Sequence, residues 1–209
     1  MKLLLASAAV TAVVDMACLG VITVGVAPAA SPTVARDLIR RECSACHGAR
    51  GISIAPTFPH LAAQPAAYLE TQLKAFRDRS RADPHAQAFM WGMAAQLSDD
   101  TIGEIAAYYA AQAPPRGHPL APAGGAAGRK IYEEGIEAQL VPACQSCHLK
   151  GAEGAALIPR LAGQHQQYLE KQLTFYVNGF RANPIMREAA KNLTARQISQ
   201  VATFLSTHP

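Results

Sequence analysis

Large aromatic side chains are scarce in this sequence: Phe, Tyr and Trp together supply 13 of 209 residues. Charge is scarce too, with Asp, Glu, Lys and Arg making up 16%. No run alternates polar and apolar residues as a half-buried strand does, which excludes a sandwich or barrel. Half of the chain is apolar, which excludes a disordered or collagen-like protein. The basic residues are dispersed, with no aromatic platform beside them, which excludes a nucleic-acid surface. In place of aromatics the chain has 42 alanines. A core built from such small side chains is thin, and a domain of roughly 85 residues is near the size that needs a staple.

The N-terminus is compositionally apart. Lys2 precedes an apolar run from Leu3 to Val14, then Asp15, then a second run from Met16 to Ala30 containing Ala27-Pro28-Ala29. Residues 1–29 are expected to be a secretory signal peptide, with an uncleaved anchor as the alternative because the run is long enough to span a bilayer. Cys18 follows Asp15-Met16-Ala17, which lacks the leucine of a lipoprotein signal, so it is expected to leave with the segment. Four cysteines then remain, in a compartment that permits disulfides. Charge is uneven: residues 30–115 carry eight basic and eight acidic side chains, and 116–209 carry ten and six. The basic second half is a weak pointer to docking on an acidic partner.

The remainder is a duplication. Cys43-Ser-Ala-Cys-His47 recurs as Cys144-Gln-Ser-Cys-His148. Pro59-His-Leu-Ala-Ala-Gln64 and Tyr68-Leu-Glu-Thr-Gln-Leu73 recur as Pro159-Arg-Leu-Ala-Gly-Gln164 and Tyr168-Leu-Glu-Lys-Gln-Leu173. Met90, seven residues before Leu97-Ser98, recurs as Met186, seven before Leu193-Thr194, after a four-residue deletion. The expected units are 30–113 and 126–209, joined by a Pro/Gly-rich linker over 114–125. Each reads as helical. Tyr68, Leu69, Gln72, Leu73 and Phe76 follow helical spacing, Ser98 and Thr194 are N-caps, and Gln197 completes a capping box. Opening helices are expected at Val34 to Glu42 and Gly128 to Glu134, and the class is all-α.

Cys-x-x-Cys-His is the attachment signature of c-type haem. Two thiols three apart at a helix end can both add to the haem vinyl groups, and the next residue presents imidazole to the iron. A zinc site of four cysteines would use both pairs and leave the two histidines without a reason. A redox dithiol would follow a strand in a βαβ unit, which is absent. His47 and His148 are therefore the candidate proximal ligands. Beyond the N-terminal segment only Met90, Met93 and Met186 are available for the opposite face. The repeat pairs Met90 with Met186, whereas Met93 falls opposite Ala189 and is expected to fill core. A thioether favours ferrous iron and raises the potential. His85 is a rival to Met90 that the repeat does not support, and His60, His118, His165 and His208 read as surface or polar contacts. The carbonyls of Pro59 and Pro159 are candidates to hold the second nitrogen of each axial imidazole.

With these motifs the sequence resembles the class I cytochromes c, and in particular the dihaem cytochrome c4 family, over essentially the whole chain after residue 29. The resemblance implies two tandem all-α domains, each wrapped around one covalent haem, with the haems facing one another across the interface. It implies that Pro59 and Pro159 supply carbonyls to the proximal histidines. It further implies a periplasmic one-electron carrier, peripherally membrane-associated in some members, between a quinol-oxidising complex or dehydrogenase and a haem-copper terminal oxidase. The alternative is the cytochrome subunit of a dehydrogenase, such as a flavoprotein that oxidises sulfide. The Asp83 to Phe89 stretch, and Ala63 where the second unit has Gly163, depart from an even repeat.

Overall fold

The computed structural model describes residues 32–117 and 125–208. The segment 1–29 with Cys18, as well as His118 and most of the linker, lies outside the described residues. Among those described, ten α-helices and no β-strand form, with only two isolated bridges, Ile136 to Val141 and Ala155 to Ile158.

In the first half α1 (Pro32–Leu38) continues through a π-helical turn (Ile39–Cys43) into α2 (Ser44–His47). The opening helix thus runs straight into the cysteine motif instead of stopping at Glu42. Then come α3 (Ala66–Arg77), a second π-helical turn (Ala86–Met90) leading into α4 (Trp91–Ala94), and α5 (Asp99–Ala110). Ser98 caps α5 by accepting from the Thr101 N–H at 3.2 Å, with Asp99 and Asp100 in the first turn. The second half repeats the plan with α6 (Gly125–Glu134), α7 (Gln145–His148), α8 (Gln166–Val177), α9 (Pro184–Ala190) and α10 (Ala195–Thr207). Thr194 and Gln197 form the expected capping box on α10.

The two openings differ. α6 stops at Gly135, and a short 3-10 turn closed by the Ile136–Val141 bridge intervenes before Cys144. α1 and α3 pack on α5, and α6 and α8 pack on α10. The first core is built of Ala35, Ile39, Leu69, Ile105, Ala106 and Tyr109, with a separate cluster of Phe76, Ala86 and Ala94. The second is one continuous cluster that includes Ile131, Tyr132, Leu169, Val201, Phe204 and Leu205.

Ala63 and Gly163 hold equivalent turns, with φ of 56° and 70°, and their N–H groups donate to the carbonyls of Tyr109 and Leu205. Only the second demands glycine. A Cβ on Gly163 would lie 2.7 Å from the Pro115 carbonyl oxygen, because the chain leaving the first half passes over this turn.

The halves meet through reciprocal polar contacts. The amide of Gln164 pairs with both backbone groups of His60, and the amide of Gln64 with both of Arg160. Arg81 and Arg181 each bond both Gln72 and Gln172. Arg81 also pairs with the fully buried Asp83 at 2.8 Å, and Arg181 donates to the Tyr68 hydroxyl at 3.0 Å.

Candidate functional site

His47 ends α2 and His148 ends α7, and both imidazoles are buried. Behind each the chain reverses at positive φ, at Gly48 (76°) and Leu149 (67°), and this returns the following loop to the ring. His47 Nδ1 donates to the Pro59 carbonyl at 2.9 Å, and His148 Nδ1 donates to the Pro159 carbonyl at 3.1 Å. With the proton fixed on Nδ1, the lone pair lies on Nε2. Burial pushes both rings below the ordinary 6.5, against the opposing effect of the proline carbonyl, so they are neutral at pH 7.

The four thiols among the described residues are free. Burial pushes the Cys144 thiol up to about 11 and raises that of Cys43, which keeps both protonated at neutral pH. Among the described residues no three His, Cys, Asp or Glu side chains gather as a metal site, so the two cysteine pairs do not converge on a shared centre. Met90 and Met186 are half-buried, packed against the Phe76 cluster and the second core respectively. Met186 lies in the first turn of α9, whose N-cap Asn183 accepts from the Met186 N–H at 2.9 Å. Met90 closes the π-helical turn, which takes up the four extra residues of the first half.

One expectation is corrected. Met93 is not core: it is 43% exposed, because the buried face of α4 is that of Ala94. Of the two readings for His60, surface or polar contact, the structure shows the second. His60 is buried, its Nδ1 accepts from the Ser53 N–H at 3.0 Å, and its ring lies 3.9 Å from that of His165. His165 Nε2 in turn donates to the Ser53 carbonyl at 3.0 Å. His85 faces the other half, where Lys171 Nζ donates to its Nδ1 at 3.0 Å. Trp91 donates from Nε1 to the Arg81 carbonyl at 2.9 Å.

An aromatic wall beside the first site was not anticipated. Phe58 sits edge-on to His47 at 6.1 Å and edge-on to Phe89 at 5.3 Å. Phe89 belongs to the extra residues before Met90, and the position of Phe58 is taken by Ile158 in the second half. The spacing from the proline motif could have flagged Phe58, but no local pattern could have shown what it touches.

These residues suit a covalently attached haem. Each half offers two free thiols on one helical turn, a buried neutral imidazole with Nε2 as its lone-pair nitrogen, and a half-buried thioether. The fully buried Tyr109 hydroxyl, in the same cluster as Cys43, has no protein partner. The polypeptide core is therefore incomplete on that side. The fold and the duplicated motif define a c-type cytochrome with two domains.

Comparison with known proteins agrees. The cytochrome c family profile matches residues 35–111 and again 125–209. Cytochrome c-552 of Acidithiobacillus ferridurans is 40% identical over 81% of this chain and 74% of its own. Cytochrome c4 of Azotobacter vinelandii is 36% identical over 87% of this chain and 91% of its own. A protein of Thiomonas intermedia described as a thiosulfate dehydrogenase electron acceptor is 36% identical over 80% of this chain and 79% of its own. The solved structure of Acidithiobacillus ferrooxidans cytochrome c4 superposes with a TM-score of 0.76 at 41% identity, covering 79% of this chain and 98% of the other. The chain belongs to the cytochrome c family, within its dihaem cytochrome c4 branch, and is an electron-transport protein carrying haem c.

Proposed function

We propose that the chain is an exported, periplasmic one-electron carrier with two haem c groups, bound through Cys43 and Cys46 in one domain and Cys144 and Cys147 in the other. His47 and Met90 ligate the first iron, and His148 and Met186 the second. The reading rests on one observation above all: in both halves the histidine that follows the cysteine pair is buried with Nδ1 committed to a proline carbonyl. The haem supplies the one-electron Fe(III)/Fe(II) couple when bound. The protein contributes a fixed tautomer at each histidine, apolar walls that exclude water, and a polar interface that joins the two domains.

The chain is not itself an enzyme in this reading, and it hands electrons to a haem-copper terminal oxidase. A second reading, an acceptor for a dehydrogenase, is favoured by the relative described as a thiosulfate dehydrogenase electron acceptor. A flavoprotein sulfide dehydrogenase is another partner of the same kind. Among the described residues no helix is long and apolar enough to cross a membrane.

A redox titration of the purified holoprotein, followed by absorption, tests the assignment. Two one-electron steps and a thioether-to-iron band at both haems are expected. Met186→Ala should remove that band from the second haem and lower its potential, Met90→Leu should do so at the first, and Met93→Leu should do neither. Loss of the first band in Met93→Leu would overturn the pairing of Met90 with Met186. Rapid oxidation by a haem-copper oxidase supports the first role, whereas efficient reduction by a thiosulfate- or sulfide-oxidising dehydrogenase supports the second.

A further inference from the structure

The peptide group that holds each buried histidine is itself held from the opposite domain. The Pro59 carbonyl accepts from His47 Nδ1 at 2.9 Å. The N–H of that same peptide belongs to His60 and donates to Gln164 Oε1 at 2.8 Å. The other half mirrors this: the Pro159 carbonyl accepts from His148 Nδ1 at 3.1 Å, and the N–H of that peptide, on Arg160, donates to Gln64 Oε1 at 3.0 Å. Each glutamine also donates from Nε2 to the carbonyl of the same residue, Gln164 to His60 at 3.0 Å and Gln64 to Arg160 at 2.8 Å. These two bonds per amide fix its orientation. Gln64 and Gln164 are 6% and 4% exposed, so water does not dilute the bonds.

A peptide is conjugated from nitrogen to oxygen. An acceptor on its N–H draws electron density toward the carbonyl oxygen, and consecutive hydrogen bonds strengthen one another by about 10–30% each in condensed phase. The Pro59 oxygen is thereby a stronger acceptor for His47 Nδ1–H than an isolated carbonyl. A more firmly held Nδ1 proton gives the imidazole more anionic character and makes Nε2 a stronger donor, which stabilises ferric over ferrous iron.

We propose that Gln164 and Gln64 are positioning residues that tune the axial histidine of the opposite domain, Gln164 acting on His47 and Gln64 on His148. Each iron then has part of its potential set by the other domain. The inference rests on the assignment of His47 and His148 as iron ligands.

The test uses full-length holoprotein carrying Gln164→Leu or Gln64→Leu, with the two potentials resolved by titration under NMR detection of the haem methyl resonances. Gln164→Leu should raise the potential of the first-domain haem and leave the second nearly unmoved, and Gln64→Leu should do the reverse. One bond's share of cooperativity corresponds to about a twofold to threefold change in the reduction equilibrium, or about 20–30 mV at 59 mV per decade. The His47 Nδ1 proton should shift upfield in Gln164→Leu while that of His148 stays in place.

A merely loosened interface would move both haems together. Equal movement of both, movement only of the substituted domain's haem, or no movement would overturn the proposal. Should a leucine variant fail to assemble, Gln164→Asn, too short to reach the His60 N–H, provides the same readout. Paramagnetically shifted ring nitrogens of His47 and His148 in the ferric wild type report ligation directly. If they are absent, the ligand assignment fails; if they are present without the crossed shifts, only this inference fails.

Discussion

Behind the buried histidine the first domain turns on Gly48 and the second on Leu149, with nearly the same backbone angles: φ 76° and ψ 149° against φ 67° and ψ 164°. Only glycine adopts that region without cost. In the first domain a Cβ would stand against the Ile52 carbonyl oxygen, so glycine is obligatory there. In the second domain the side chain is accommodated and the backbone carries the strain. The loop behind each histidine is also tied by a tyrosine, but from opposite ends of the fold. Tyr108 of α5 donates to the Ala49 carbonyl at 2.9 Å, whereas Tyr132 of α6 donates to the Leu149 carbonyl at 2.6 Å. The difference teaches that the duplicated geometry around the histidine is kept while the residues that enforce it are exchanged.

Chemical denaturation of the holoprotein, on single variants and then as a function of pH, would break or sharpen that comparison. Asp83→Asn should have the largest effect, about 3 kcal/mol, because it leaves the Arg81 guanidinium without a carboxylate in a buried site. The second domain already has Asn183 at this position, so a loss below about 1 kcal/mol would mean that glutamines satisfy Arg81 as they do Arg181. Gly48→Ala should cost about 2–3 kcal/mol, combining the backbone penalty with the clash at Ile52. Leu149→Gly should stabilise by about 1 kcal/mol, and a loss there would show that Leu149 is held by contacts stronger than its strain. Tyr132→Phe should cost about 1 kcal/mol by removing a satisfied bond.

The smallest effect is a pH dependence between the domains. Burial first, and the Lys171 ammonium second, hold His85 below the ordinary 6.5. The folded protein therefore binds this proton less readily than the unfolded chain. The stability His85 contributes is complete above about pH 6.5 and is lost as pH falls through its lower folded value. Unfolding free energy should decline more steeply from pH 7 to 5 in the wild type than in His85→Phe, and parallel slopes would remove His85 from the interface.

Much of this is legible in the sequence. Helix starts at Ser98 and Thr194 follow from local hydrogen bonds between residues three apart, and those are written in sequence. The spacing of Cys, Cys and His within one helical turn is local as well. The stack of His60 on His165 and the brackets made by Gln64 and Gln164 were not legible, because they join residues about a hundred positions apart through side chains with no local pattern. Met93 was misread for a related reason. α4 is a single turn, too short for periodicity to say which face is buried.

The glutamine brackets grip only main-chain atoms, and this has a consequence for how duplicated halves diverge. A side chain that recognises the N–H and C=O of a residue is indifferent to what that residue carries. The same bracket therefore fits both residues that stand between the proline and the leucine, His60 in one copy and Arg160 in the other. The glutamine five residues after each proline is different, since a substitution made there in one copy is felt in the other. Each domain thus carries a glutamine whose main-chain partner lies in its twin.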